Sequence, residues 1–289
     1  MKILTPTLAA IAALLLCAGP AAAQTISSAD IAKIVASPER SAADRTNDLR
    51  RKPEQTLAFI GIRPGITALD LSAAGGYTTE LLARAIGPSG AVYGQSRPRN
   101  PNAAPTPPAA PEGNSHPTAT HNATPSATPA PPPSAPRPSP VALAERDAKL
   151  KSAGVAAAPI VAVSRPFEDP LPPELAEGRF DLVTLMFNYH DLGHSGVDRD
   201  ALNRAVFRAM KPGGFYVIAD HSGRPGTGIS EAGTLHRIEE AFLRKEVEAA
   251  GFRFVAVGDF LRNPNDPRDK NTPDPPQPKD QFVLKFTKP

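Results

Sequence analysis

Cysteine is almost absent. The 289-residue chain has a single one, Cys17, and it lies in an N-terminal stretch that reads as a removable leader. Lys2 is followed by an apolar run from Leu8 to Ala18, then by Gly19, Pro20 and the small residues Ala21, Ala22 and Ala23. A run this short falls below the ~20 apolar residues that a bilayer requires, and three alanines before Gln24 suit a leader peptidase. Residues 1–23 are therefore expected to be a secretory signal peptide, and the mature protein is expected to be periplasmic or secreted. Cys17 follows Leu16, whereas lipoprotein processing prefers a small residue there, so a lipid anchor is the weaker option. Cleavage after Ala23 would leave no cysteine, and hence no disulfide to staple the fold. About 265 residues must then be held by an apolar core, an ample length for one α/β domain.

An excess of charge of one sign is missing as well. The net charge is +3, and Lys2 is the only charged residue before Gln24, so the mature chain carries 3 − 1 = +2. A balance this even argues against a nucleic-acid partner, and no membrane span is expected in the mature chain. Arg45, Arg50, Arg51 and Lys52 cluster, but Asp44, Asp48 and Glu54 are interleaved with them, which reads as a solvated helix face. Between residues 97 and 140 large apolar side chains are scarce, and fifteen of the chain's 35 prolines fall there among Ala, Ser and Thr. Such a composition cannot pack a core, so this stretch is expected to be a disordered insertion. His116 and His121 lie inside it and are poor metal ligands for that reason.

What the chain does have is an α/β rhythm. Residues 24–65 read as short helices, with Pro53 acceptable in a helical first turn. An apolar run from Ile66 to Leu71 breaks into Ser72, Ala73, Ala74, Gly75 and Gly76. A helical pattern with Leu81, Leu82, Ala85 and Ile86 follows, then GPSG, then the strand AVYG. Small residues in such a turn let a ligand approach the backbone, and the first amides of the helix face outward. Dinucleotide-binding proteins use a similar unit. After the insertion, a helix is expected over Val141–Ala153, a strand over Val155–Val163, and a nearly all-apolar strand, buried on both faces, over Phe180–Phe187. A helix over Asp198–Met210, the turn KPGG and the strand FYVIAD come next. Ser230–Ala250 reads as one amphipathic helix stopped by Gly251, and FRFVAVGDF and QFVLKFTK as two closing strands. With no helix between them, those strands suggest an antiparallel pair.

LDLSAAGGY before GPSGAVYG resembles motif I of the class I S-adenosylmethionine-dependent methyltransferases. FDLV, a polar loop, a helix ending in MKPGG and a strand ending in Asp220 resemble the second half of the same core. The resemblance runs from about Ile66 to Asp220, insertion excluded. It implies a seven-stranded, mostly parallel Rossmann-like sandwich with an antiparallel C-terminal edge pair over residues 66–289, interrupted at 97–140. It also implies S-adenosylmethionine as cofactor and a small-molecule methyl acceptor. The cofactor residues it points to are Asp70, Ser72, Ala74, Gly75, Gly76, Tyr77, Gln95, Phe187 and Asn188. Asp70 stands at the acidic position and Gly76 keeps the family's glycine. Ser72 and Ala74 replace glycines, and Gln95 stands where the family has a ribose-binding carboxylate.

In open α/β sheets ligands bind outside the carboxyl ends of the strands. There the chain places Asn188, Tyr189, His190, Asp191 and His194 after one strand, and Asp220 and His221 at the end of the next. Methyl transfer needs alignment and a base when the nucleophile is protonated. His190 or His221 suits that base, with Asp191 or Asp220 as orienter and Tyr189 shaping the acceptor pocket. Two other readings stay open. One is a metal-dependent hydrolase or oxygenase using His190, Asp191, His194 and His221, with Asp220 and His236 near them. The other is an exported binding protein that has lost catalysis. His236 by itself reads as an exposed helix residue.

Overall fold

A computed structural model describes residues 24–98, 137–271 and 278–289. The expected signal peptide, and residues 99–136 of the expected insertion, lie outside the described residues.

Three short helices lead in. They are α1 (Ser28–Ala36), α2 (Ala42–Arg51) and α3 (Pro53–Ile60). Ser27 and Ser41 cap the first two by accepting from the amides of Asp30 and Asp44, the arrangement that short polar side chains favour at helix starts. Then β1 (Thr67–Leu71), α4 (Tyr77–Ile86) and β2 (Ala91–Ser96) form the first β-α-β unit. The chain continues through α5 (Ser139–Ser152), β3 (Ile160–Ser164), β4 (Phe180–Met186), α6 (Tyr189–His194), α7 (Arg199–Ala209) and β5 (Met210–His221). It ends with α8 (Ala232–Leu235), α9 (Glu240–Ala249), β6 (Arg253–Gly258) and β7 (Gln281–Thr287).

The seven strands form one sheet in the order β3-β2-β1-β4-β5-β7-β6. The first five run parallel, and β7 is antiparallel to both β5 and β6. This is the mostly parallel sandwich with an antiparallel edge pair expected from the sequence. Alternation along the strands divides the core in two. Leu69, Leu71, Val183, Leu185, Tyr216 and Ile218 face α7 and α9, while Ala68, Leu182 and Val217 face α4 and α5. The strands are therefore apolar on both faces.

Three local expectations fail for traceable reasons. The strand expected over Val155–Val163 begins only at Ile160, because Val155 and Ala158 give their amides to Leu150 and Ala83. The polar loop after β4 winds into α6. The single helix expected over Ser230–Ala250 is broken: His236 adopts a left-handed φ of 51°, and Ile238 pairs with the end of β5 through His221 and Gly223. Ile238 and Arg237 are fully buried there, and Arg237 forms a bidentate pair with Asp266. That burial outweighs the hydrogen bonds a continuous helix would have made.

Candidate active site

The turn between β1 and α4 keeps the backbone of a glycine turn without all of its glycines. Ser72, Ala74 and Gly76 have φ of 55°, 46° and 79°, in the left-handed region where a β-carbon costs roughly 1 kcal/mol. Gly76 cannot carry one for a second reason, since it would sit 2.7 Å from Leu143 and 2.8 Å from Arg146 of α5. A Cβ on Gly75 would meet nothing within 4 Å. The turn thus presents its open side around Ala74 and Gly75, and Gly76 packs inward.

Asp70 ends β1 beneath this turn and is buried. Its oxygens accept from Thr79 Oγ1 at 2.6 Å and Thr184 Oγ1 at 2.8 Å. Burial pushes its pKa up to about 6, against the pull of the two hydroxyls and of Arg51. Gln95 is fully enclosed too: its Oε1 accepts from the Ser72 amide at 3.2 Å and its Nε2 donates to the Arg165 carbonyl at 2.7 Å. Gln95 thus braces the turn with its oxygen and the segment after β3 with its nitrogen, so both polar ends of the amide are engaged within the protein. Ser96 and Arg97, the next residues, instead line a cleft of about 360 Å³ together with Ser72, Ala74, Asn188 and Asp191.

From the turn a polar chain runs across the strand ends. Ser72 Oγ bonds Asn188 Oδ1 at 2.7 Å, and Asn188 Nδ2 donates to Asp191 Oδ2 at 3.0 Å. Asp191 Oδ1 lies 3.0 Å from His236 Nδ1 and 3.1 Å from His190 Nε2. His190 Nδ1 meets Asp220 Oδ1 at 2.6 Å, and Asp220 Oδ2 accepts the His190 amide at 2.8 Å. The short α6 makes this possible by turning Asn188, His190 and Asp191 toward one another.

The electrostatics decide what these groups can do. Burial works to lower the His190 pKa, but Asp220 and Asp191 overcome it and raise it to about 10. That favours the imidazolium and makes His190 a poor base while both carboxylates face it. His221 is lowered well below its ordinary value, first by burial and then by Lys279 and His190. It is neutral, but it is fully enclosed and its Nδ1 is held by Gln281 Nε2 at 3.0 Å. Neither expected base is therefore both neutral and open to an acceptor. Burial raises Asp191, yet the His190 and His236 imidazoles beside it more than offset this and keep it a carboxylate.

Tyr189 does not shape the cleft. It turns into the α7 and α9 side, where its hydroxyl donates to Glu246 and accepts from Asn203. Phe187 carries a left-handed φ of 60°, and its ring lies between the Arg51 guanidinium, 4.0 Å away, and the His221 ring. Arg51, half-buried, therefore packs against Phe187 rather than standing wholly in solvent. Tyr77 faces α2, donating to Asp48 at 2.7 Å. Arg146 of α5 bonds Gly75 O, Asp44 and Glu80, tying the N-terminal helices and α5 to the turn. Of the four residues in the metal reading, only His190 and Asp191 share a donor cluster, and His236 completes it. His194 faces Gly233 of α8 instead. His236, expected near this cluster, is brought to it by the break at His236–Ile238 rather than by a continuous helix.

No family model matches the sequence, and no curated protein matches it. Solved structures do share the fold. An S-adenosylmethionine-dependent methyltransferase from Aquifex aeolicus is 16% identical, with a TM-score of 0.52 over 91% of this chain and 100% of that one. The [4+2]-cyclase SpnF is also 16% identical, with a TM-score of 0.50 over 86% of this chain and 81% of its own. The chain has the Rossmann-like fold of the S-adenosylmethionine-dependent methyltransferases, a fold that also carries a cyclase, so the reaction must be argued from the site.

Proposed function

We propose that the chain is an exported S-adenosylmethionine-dependent methyltransferase acting on a small-molecule acceptor. The observation that carries this reading is the cleft between the left-handed turn at Ser72–Gly76 and the Asn188–Asp191 segment, at the carboxyl ends of β1, β2 and β4. Ser72, Ala74 and Gly75 would hold the cofactor's amino-acid end, and Ser96 its ribose side. When bound, the cofactor supplies an electrophilic methyl group on a sulfonium. Asp70 fixes the turn from below through Thr79, the first buried polar contact of α4. Gln95 holds the Ser72 amide, so the turn is preorganised. Asp191 is the accessible carboxylate in the cleft and would orient an acceptor's hydroxyl or amine proton, with its own geometry set by Asn188 and His236. Export rests on residues 1–23 as read from the sequence.

Native mass spectrometry of the protein isolated in its mature form tests the assignment. The mass of S-adenosylmethionine or its demethylated product is expected as a bound adduct, and a different nucleotide in that place would overturn the reading. The internal use of Gln95 also favours a second reading, a binding protein without turnover. Transfer of a labelled methyl group from S-adenosylmethionine to a component of extracts of the same compartment, present or absent, separates the two.

A further inference from the structure

We propose that His190, Asp191 and His236 form a site for a divalent transition metal beside the cleft, which Asp191 also lines. Their three donor atoms lie within 4.8 Å of one another. Two imidazoles and one carboxylate make a donor set that suits zinc, cobalt, nickel or ferrous iron. Around a tetrahedral ion with bonds of about 2.0–2.1 Å, donors stand ~3.4 Å apart. Asp191 Oδ1 is already 3.1 Å from His190 Nε2 and 3.0 Å from His236 Nδ1, so small side-chain movements would admit an ion.

An independent observation points the same way. His190 Nε2 is buried and meets Asp191 Oδ1 at 3.1 Å as an ion-pair contact without a well-aligned hydrogen bond, so an ion would bind there by displacing the imidazole proton. Its other nitrogen is pinned by Asp220 at 2.6 Å. A ligating histidine characteristically gives its second nitrogen to a carboxylate, which fixes tautomer and ring orientation. Asn188 serves Asp191 similarly, holding Oδ2 at 3.0 Å and leaving Oδ1 turned to the two imidazoles. The site is reachable, since the Asp191 and His236 side chains are 31% and 43% exposed. A bound ion would turn its remaining positions to the cleft, toward water or toward an oxygen of the acceptor. That choice of an oxygen-bearing acceptor rests on the methyl-transfer reading, whereas the metal site does not.

The test uses the tag-free mature protein, stripped with a chelator and titrated with Zn²⁺ alone by calorimetry and with Co²⁺ by visible absorption. One ion per chain is expected, with affinity reduced at least about tenfold in His236→Ala and in Asp191→Asn and unchanged in His194→Ala. The absence of a stoichiometric ion, or His236→Ala binding as tightly as the parent, overturns the proposal. Should the variants lose their fold, X-ray absorption of the parent Co²⁺ complex decides. Two imidazole nitrogens around the ion support the site, and oxygens alone refute it. Cofactor binding enters none of these readouts, so the two proposals fail separately.

Discussion

Asp70 carries its charge where burial resists it, and this has a consequence for stability. Its folded pKa of about 6 stands above the ordinary 3.8. Between those values the folded chain binds more protons than the unfolded one, so this group's contribution falls as pH rises from about 4 through 6. A shift of that size corresponds to roughly 3 kcal/mol, of which the weaker bonds of an amide to the two hydroxyls would take back about 1. Asp70→Asn should therefore stabilise the fold by ~2 kcal/mol at pH 8 and by much less at pH 4. Chemical denaturation of both proteins across that range measures the gap, and a gap that does not widen with pH contradicts the burial described. Ala74→Gly should relieve a left-handed β-carbon and raise stability by up to about 1 kcal/mol, read from the same denaturation curves. At this scale the sequence was legible in part. Asp70, Gly75 and Asn188 could be placed because strand ends are marked by where apolar runs stop. The partners of Gln95 and the orientation of Tyr189 come from distant elements, and no local pattern encodes them.

Among the elements, α5 holds the N-terminal helices to the ligand turn through one side chain. Arg146 reaches Asp44 of α2, Glu80 of α4 and Gly75 O, and both carboxylates are nearly buried. Arg146→Ala would leave the enclosed Asp44 without its ion-pair partner, while Glu80 keeps Arg84, at a cost of about 3 kcal/mol. The midpoint of urea unfolding measures this, and an unchanged midpoint contradicts the clamp. Strands and most helices could be read from periodicity, since each buries a face wide enough to leave a pattern. α6 and the break at His236 could not. The first spans six residues, Tyr189–His194, and the second exists because Arg237 and Ile238 find partners on Asp266 and β5.

For the molecule as a whole, the described residues on either side of the proline-rich stretch form one two-sided sheet. β2 ends at Ser96 and α5 starts at Ser139, where it packs Leu143 against Gly94 and Gly76. Replacing residues 99–136 with a short flexible linker should change stability by less than ~1 kcal/mol, about 2–4 °C in Tm. A thermal melt reads this directly, and a larger drop would give the segment a structural role. The antiparallel edge could be anticipated because two closing strands have no helix between them. The central claim is that the Ser72–Gly76 turn and the cleft beside it receive S-adenosylmethionine. Isothermal titration of the mature protein with that ligand and with its demethylated product tests this most directly, paired with Ala74→Leu, which fills the cleft at a position already left-handed. Gly76→Val would not serve, because it collides with Leu143 and Arg146 whether or not a ligand binds there. The account predicts binding at or below ~100 µM, about 5.5 kcal/mol, and its loss in a folded Ala74→Leu protein. No heat at millimolar ligand, or equal binding by the variant, contradicts it.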